Sequence, residues 1–277
     1  MTPWKTPSPL PGFGVTLAFT LVYLCAIVLI PLGALVTRAA QLGLGGLGRI
    51  ALDPRVLASL RVTFGVSLAA AAVDVVFGAL IAWTLTRYRF PGRRFFDALV
   101  DLPFALPTAV AGIALATLYA PNGAFGAPLA QAGLKVAYTP WGILVALIFV
   151  GLPFVVRTVQ PLIEELEAEL EEASATLGAT RFQTLRRVLA PQLAPALLTG
   201  MALAFARGVG EYGSVIFIAG NVPYVSEITP LLIVVKLEEY DYDGATAIAA
   251  IMLAVSFVML LVINGAQGWS RRRTGLV

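Results

Sequence analysis

Three charged residues stand inside long apolar stretches of the chain, namely Asp74, Arg207 and Glu211. A charged side chain at mid-membrane costs about 2.5–3.5 kcal/mol on insertion scales, and such residues usually face a bundle interior, a partner or water. Arg207 could pair with Glu211, one helical turn away, or with Asp74, which is placed at a similar depth. Arg207 then has one of two roles. It offsets the charge of an anion that crosses the membrane, or it forms a buried ion pair with one acid, which we call the clasp. Because two acids nearby would repel a dianion, we favour the clasp.

Composition excludes most catalytic chemistry. The chain has no histidine and one cysteine, Cys25, which excludes histidine bases, histidine-activated nucleophiles, intrachain disulfides and metal sites built from several cysteines. None of the lysines follows a glycine, so the Gly-Lys of a phosphate-binding loop is absent. We therefore predict that the chain is not an enzyme and binds no metal or cofactor.

The low content of charged residues indicates a membrane-embedded chain. Apolar residues make up 58% of it and charged residues 13%, against roughly 45–50% and 25% in soluble domains. Since a helix needs about 20 apolar residues to cross a bilayer, we predict an all-α integral membrane protein with six transmembrane helices. A shorter stretch at 228–237 is interpreted as an interfacial or re-entrant helix. The six predicted spans are 13–36, 62–86, 98–120, 141–156, 193–219 and 245–267.

The basic residues predict the orientation. Residues 86–94 contain four arginines and no acid, and a second cluster is Arg271, Arg272 and Arg273. The positive-inside rule places both clusters in the cytoplasm, which six spans allow. The N- and C-termini are then cytoplasmic, and the chain is a multi-pass protein of the cell inner membrane. The net charge of +3 is too weak to indicate a nucleic-acid partner.

The connection between the fourth and fifth predicted spans resembles a pair of helices more than a loop. Its first half carries six glutamates between 164 and 172, followed by Gly178. Thr180 and Gln183 have capping-box spacing, so a second helix should begin at Arg181 and end before Pro191. We predict two amphipathic helices joined at a glycine hinge on the cytoplasmic surface, with a solvated charged connector as the alternative. The apolar stripe of the acidic helix would be Ile163, Leu166, Leu170 and Leu177.

This segment resembles the cytoplasmic EAA loop of type I ABC importer permeases. The chain has Glu172-Ala173-Ser174, then Gly178, and nine residues later Val188-Leu189-Ala190-Pro191. It departs from the family pattern with Ser for the second Ala, Val for Ile and Ala for Leu. The resemblance implies a coupling helix from Glu172 to about Phe182, seated in a groove of a separate ATPase. The implied ATPase-coupling residues are Glu172, Ala173, Ser174, Gly178, Ala179, Thr180, Arg181, Phe182 and Pro191.

Three further segments, 97–126, 151–167 and 202–221, resemble the T-type sulfate/thiosulfate permease subunits. This resemblance implies a MetI-like fold and transport by alternating access, with the chain forming half of the pathway. It also implies a heterodimer with a W-type permease in the lipid bilayer, two ATPase subunits that bind ATP and Mg, and an extracytoplasmic sulfate/thiosulfate-binding protein. The expected division is an N-terminal segment at 1–56, the transmembrane domain at 57–267 and a basic tail at 268–277.

Two other functions compete with this interpretation. A molybdate/tungstate or other oxyanion permease carries a segment like the one around Arg207 and Glu211, although the run at 101–112 and the loop at 122–126 favour sulfate. An ion-coupled secondary transporter would need internal repeats and paired discontinuous helices, and it would leave the EAA-like loop unexplained.

Overall fold

The computed structural model describes residues 12–274, without the side chains at 168, 264, 266–267 and 269–274. Residues 1–11 and 275–277, the outer parts of the expected terminal segments, lie outside the described residues. Within 12–274 the chain is helical and contains no strand. In chain order the helices are α1 (Phe13–Gln41), α2 (Gly43–Ala51), α3 (Pro54–Arg87), α4 (Arg93–Val100), α5 (Leu102–Ala105), α6 (Thr108–Tyr119), α7 (Gly126–Gln131), α8 (Pro140–Glu165), α9 (Ala168–Thr176), α10 (Arg181–Val209), α11 (Val215–Ile218), α12 (Thr229–Glu238) and α13 (Tyr242–Thr274).

Five of these helices are long and apolar enough to cross a membrane: α1, α3, α8, α10 and the Tyr242–Ile263 part of α13. They confirm the all-helical membrane class, and they cover the predicted first, second, fourth and sixth spans with longer helices. Helix α13 continues into the expected basic tail as far as Thr274.

The predicted third span is not one helix. The chain supplies three pieces there, α4, α5 and α6, and the last of them has the length of a short apolar helix. Leu106 is extended (φ −85°, ψ 135°) because the ring of the following Pro107 disfavours a helical residue before it, and Pro107 itself precedes the first turn of α6. The break therefore follows from local proline chemistry inside an apolar stretch.

The predicted fifth span also has different bounds. It was expected at 193–219, but α10 begins at Arg181 and ends at Val209, so the expected second amphipathic helix and the fifth span are one helix. Pro191 does not end it, because a π-helical turn at Leu185–Leu189 lies just before this proline and α-helical geometry resumes at Ala190. After Gly210 the chain is irregular until the short helix α11.

The core of the bundle lies between α3, α8 and α10. Its buried side chains are mostly small or β-branched, and Phe205 of α10 packs on Phe64 of α3 with ring centroids 6.3 Å apart. Helix α12 is the short helix predicted at 228–237, and it is folded into the bundle with Leu231 and Leu232 buried. In contrast, α1 buries only Ala39 among its described side chains, which suits a helix surrounded by lipid.

Candidate functional site

The predicted acidic helix is shorter than the sequence suggested. Glu164 and Glu165 belong to the end of α8, and the chain is extended at Leu166 and Glu167 (ψ 115° and 133°) before α9 begins. The apolar stripe from Ile163 to Leu177 therefore spans two helices. The break leaves Glu169 and Glu171 in the first turn of α9, where acidic side chains interact favourably with the positive end of the helix dipole.

The predicted coupling helix, which ran from Glu172 to about Phe182, ends early and turns at Gly178. Helix α9 stops at Thr176, and Gly178 has a φ of +80°, a left-handed conformation that glycine adopts without the steric cost of a Cβ. The N–H of Gly178 donates to the carbonyl of Ala175 (2.9 Å), and the N–H of Ala179 donates to that of Ser174 (3.0 Å). The expected glycine hinge is thus a tight, hydrogen-bonded turn.

The capping box predicted at Thr180 is confirmed. The N–H of Gln183 donates to Thr180 Oγ1 (3.3 Å), and the N–H of Thr180 donates to Gln183 Oε1 (2.8 Å). Two otherwise unpaired N–H groups at the start of α10 are thereby satisfied, so Arg181 begins the helix as expected.

Ser174, which stands where the EAA pattern has its second alanine, links the two helices of the hinge. Its hydroxyl lies 2.8 Å from the hydroxyl of Thr184 on α10, and both side chains are buried. Ser174 Oγ also donates to the carbonyl of Glu171 at 2.8 Å. An alanine could not form this link, so the departure from the pattern gives the turn a polar brace between α9 and α10.

The other residues implied to contact an ATPase are arranged on an accessible surface. Phe182 is 68% exposed and Leu177 is 89% exposed, although both are large and apolar and stand among charged residues. Exposed apolar groups rimmed by polar residues are typical of protein or membrane interaction sites. Ala179 is half-buried, and the remaining implied residues outside the brace are exposed: Glu172, Ala173, Gly178, Thr180, Arg181 and Pro191.

Two arginines to which the sequence assigned no contact, Arg87 and Arg157, join this surface to the spans. Arg87, the last residue of α3, donates to the carbonyl of Leu166 (3.0 Å), approaches Glu171 Oε1 (3.4 Å) and lies over the ring of Trp83. Arg157 on α8 binds the carboxylate of Asp101 through two nitrogens, at 2.6 and 2.8 Å.

The guanidinium of Arg157 reaches two further side chains. Its Nη1 donates to Asp97 Oδ1 at 2.7 Å and to Gln160 Oε1 at 2.6 Å. Asp97 and Asp101 are four residues apart, a spacing that puts both acids on one helical face and could have indicated a shared cation. The short helices α4 and α5 are thereby tied to α8.

Inside the membrane region, the structure pairs Arg207 with Glu211. Arg207 Nη1 lies 2.5 Å from Glu211 Oε2, while Glu211 Oε1 accepts hydrogen bonds from the N–H of Ser214 (2.8 Å) and from its hydroxyl (2.9 Å). Glu211 is 2% exposed and Arg207 is 34% exposed. The geometry is that of a clasp, placed just beyond the end of α10.

Asp74 takes no part in this clasp. Its side chain is fully buried in the middle of α3, and neither carboxylate oxygen has a hydrogen-bond partner within residues 12–274. It faces Gly151 of α8, where a Cβ would overlap Asp74 Oδ2. The expected alternative, an Asp74–Arg207 pair, is therefore not formed, because the local partner one turn away holds the guanidinium.

The break before α6 and the break after α10 lie against each other. A Cβ on Gly112 of α6 would overlap the carbonyl oxygen of Ser214, and one on Gly213 would overlap Thr108 Oγ1. The irregular segment 210–214 therefore lies directly against the first turns of α6. Non-helical backbone at membrane depth is tolerated only where it is buried in protein or lines a water-filled cavity. The two breaks therefore place Arg207 and Glu211 where segment 210–214 packs against α6.

The opposite end of α3 carries a charged cluster that sequence reasoning missed. Arg55 binds Glu227 through two hydrogen bonds, of 2.7 and 2.8 Å, although 172 positions separate them. Nearby, the hydrogen bond to Glu239 raises the pKa of Lys236, and the N–H of Gly244 lowers the pKa of Asp241. Arg55, Lys236 and Asp241 line a cavity of 410 Å³ at the end of the bundle remote from α9.

Comparison with known proteins gives the same architecture. The family model of the binding-protein-dependent transport system inner membrane component matches residues 74–276. The chain is 52% identical over 264 residues to the sulfate transport system permease protein CysT of Salmonella typhimurium, covering 95% of each chain. It is also 52% identical over 257 residues to the protein of that name from Synechococcus elongatus, covering 93% of this chain and 92% of the relative.

Among solved structures, a bacterial alginate ABC transporter in complex with an alginate pentasaccharide-bound periplasmic protein is similar in fold. The TM-score is 0.75 at 19% identity, with 95% of this chain and 94% of the other covered. The MetNI methionine ABC transporter gives a TM-score of 0.52 at 22% identity, covering 78% of this chain and 96% of the other.

Proposed function

The chain belongs to the family of binding-protein-dependent transport system inner membrane components, and we propose that it is the permease subunit of an ATP-driven importer of sulfate and thiosulfate. The observation that carries the proposal is the turn between α9 and α10. It is braced internally by Ser174 and Thr184, tied to α3 by Arg87, and exposes Leu177 and Phe182. Such a rigid turn with an uncovered apolar surface suits docking to a separate ATPase.

The path from that turn into the membrane is a single element. Helix α10 has 29 residues and is about 43 Å long at 1.5 Å per residue. It begins at the capped Arg181 and ends beside the Arg207–Glu211 clasp. A displacement of the turn by a moving ATPase would therefore be carried as a rigid-body motion to the break at 210–214. This arrangement supports alternating access, in which ATP binding and hydrolysis reorient the membrane pathway.

The partners follow from the same proposal. Two ATPase subunits would bind ATP and Mg, because none of this chain's lysines follows a glycine as in a phosphate-binding loop. A W-type permease would complete the pathway as a heterodimer, and an extracytoplasmic binding protein would deliver the anion to the end of the bundle that carries Arg55 and Glu227. The N- and C-termini would then be cytoplasmic, on the side of α9, in the cell inner membrane.

The docking surface is tested by co-purification of the ATPase with the full complex. We expect Phe182→Glu to reduce the bound ATPase more than tenfold, because a charge would be forced into a desolvated apolar contact. The matched control is Leu134→Glu, which changes an exposed apolar residue beyond the opposite end of α8. Equal ATPase binding by both variants would contradict the proposed docking surface.

The substrate is tested by uptake of labelled sulfate into cells that lack the chain and are complemented with it. We expect uptake to be restored and to be competed by unlabelled thiosulfate, whereas molybdate in the same excess competes weakly. Molybdate competition as strong as that of sulfate itself would instead favour the alternative, a permease for molybdate, tungstate or other oxyanions.

A further inference from the structure

The end of α3 beside α9 continues into a strongly basic segment, residues 86–94, which we call the basic turn. It contains four arginines and no acid. Arg87 is engaged by Leu166 and Glu171, as described above. The other arginines, Arg89, Arg93 and Arg94, form no ion pair with any residue that the structure describes. Their charge is therefore free to act on something outside the chain.

The acids that follow the basic turn do not neutralise it. Asp97 and Asp101 are both held by Arg157, with N–O distances of 2.6–2.8 Å, on the side of α4 that faces α8. Helix α4 also leaves Phe95, Phe96 and Leu99 exposed. A short helix with exposed aromatic side chains and arginines at its start suits the membrane–water interface.

An apolar groove begins at the basic turn and follows α3 toward the membrane interior. Its volume is 340 Å³. One hydroxyl lines it, that of Thr84, and this group already donates to the carbonyl of Leu80 at 2.8 Å, so the groove offers no free polar partner. The apolar lining consists of Phe77, Leu80, Ile81, Leu85, Phe90 and Phe96.

The positive charges stand at the mouth of this groove. Arg89 precedes Phe90 in the chain before α4, and Arg93 is three residues before Phe96, which places Arg93 and Phe96 on one face of α4. The rings of Phe90 and Phe96 are 6.0 Å apart and close the end of the groove beside the arginines. The apolar lining of the groove and the unpaired arginines of the basic turn thus lie within about one helical turn of each other.

We propose that the groove and the basic turn bind one anionic phospholipid. The acyl chain lies along α3 in the groove, and Arg89, Arg93 and Arg94 hold the headgroup phosphate. Basic clusters at the end of a transmembrane helix bind anionic headgroups, and guanidinium groups pair well with phosphate oxygens. A protein occupant would need acids at the mouth and an apolar wedge in the groove, whereas one lipid supplies both chemistries.

The test is native mass spectrometry of the full chain, purified in non-ionic detergent and given equal amounts of phosphatidylglycerol and phosphatidylcholine. We expect phosphatidylglycerol to be retained at least tenfold over phosphatidylcholine in low salt, since each arginine near an anionic headgroup contributes about fivefold. The triple variant Arg89→Gln, Arg93→Gln, Arg94→Gln should lose that preference. The matched control is Arg38→Gln, Arg49→Gln, Arg61→Gln, three exposed arginines toward the opposite end of α3 without an ion pair in the described residues.

A second variant tests the groove without changing any charge. Thr84→Trp fills the groove with an indole and should reduce the retained phosphatidylglycerol several-fold, while circular dichroism shows that the helix content is kept. Retention unchanged in Thr84→Trp, or in the triple arginine variant, would overturn the proposal. Loss of the lipid when the second permease subunit is bound would also overturn it, since a protein would then be the occupant. None of these measurements requires transport or an ATPase, so their failure leaves the proposed function untouched.

Discussion

Asp74 and Glu211 are carboxylates of the same bundle, and their surroundings differ completely. Glu211 accepts from Arg207 and twice from Ser214. Asp74 accepts nothing from residues 12–274, although it is more deeply buried. The reason is backbone geometry. Glu211 lies between α10 and α11, and the N–H of Ser214 at the start of α11 has no helical carbonyl to bind and donates to its side chain, whereas Asp74 is in the middle of α3, where each N–H is used by its own helix.

This difference separates two roles for a buried acid. At Glu211 a broken helix supplies the donors that stabilise a charge, so the acid organises the irregular segment 210–214. At Asp74 an unbroken helix supplies none, and the carboxylate carries the cost of desolvation without a partner. Substitution of Glu211 should therefore lower the free energy of unfolding strongly, and substitution of Asp74 only slightly. Substitutions of Arg207 and Gly151 should have intermediate effects.

The largest effect is expected for Glu211→Ala. It removes one ion pair and two hydrogen bonds and leaves Ser214 unsatisfied in a buried position, so we expect the free energy of unfolding to fall by about 3 kcal/mol. Equilibrium unfolding of the purified chain in mixed dodecyl sulfate micelles measures this change. A loss as small as that of a surface substitution would mean that the clasp contributes nothing to the bundle.

A smaller loss, of about 2 kcal/mol, is expected for Arg207→Gln. The guanidinium is 34% exposed, so solvent screens part of the ion pair, and Glu211 keeps its bonds to Ser214. Sulfate uptake should fall only as far as the amount of intact complex falls. If uptake is lost while complex assembly and unfolding stay normal, Arg207 acts on the anion and the clasp interpretation is wrong.

Gly151→Ala probes the other carboxylate through its neighbour. The added methyl group would overlap Asp74 Oδ2, and overpacking of this kind costs about 1–2 kcal/mol. The double variant Gly151→Ala, Asp74→Ala should recover most of that loss in the same unfolding assay, because it removes the overlapping atom. Equal destabilisation of the single and double variants would show that the carboxylate is not what restricts this position.

The smallest effect is expected for Asp74→Asn. No partner is lost, the volume is nearly kept, and a neutral amide is easier to bury than a carboxylate, so the free energy of unfolding should stay within about 0.5 kcal/mol or rise. A loss comparable to that of Glu211→Ala would abolish the contrast between the two sites. It would reveal a stabilising partner for Asp74 that this conformation does not contain.

The contacts that sequence reasoning found are short in range. The capping box joins residues three apart, and the turn at Gly178 is defined by neighbouring carbonyls. Most spans were likewise visible because 20 apolar residues in a row are a local property. The pairing of Arg207 with Glu211 was one of two open possibilities, and helical spacing alone could not choose between them.

The contacts that sequence reasoning missed join residues that are far apart in the chain or depend on where a helix is interrupted. Arg157 reaches Asp97 across 60 positions and Arg55 reaches Glu227 across 172, so no local pattern joins them. The ends of α5 and α10 inside apolar stretches were also missed, because hydropathy counts side chains and does not register where a helix stops. Only the packing of Gly112 and Gly213 against the opposite segment shows why both breaks are tolerated.

Composition and local spacing were therefore sufficient for the membrane class, most spans and the capped turn, and motifs in continuous segments were sufficient for the family resemblance, because each depends on overall content or on residues that are close together in the chain. The tertiary structure alone decided which acid holds Arg207, left Asp74 without a partner, and joined the capped turn to the clasp through one unbroken α10. Those outcomes depend on which helices pack together and where their backbones break, and such contacts between distant residues are not encoded in any single stretch of the chain.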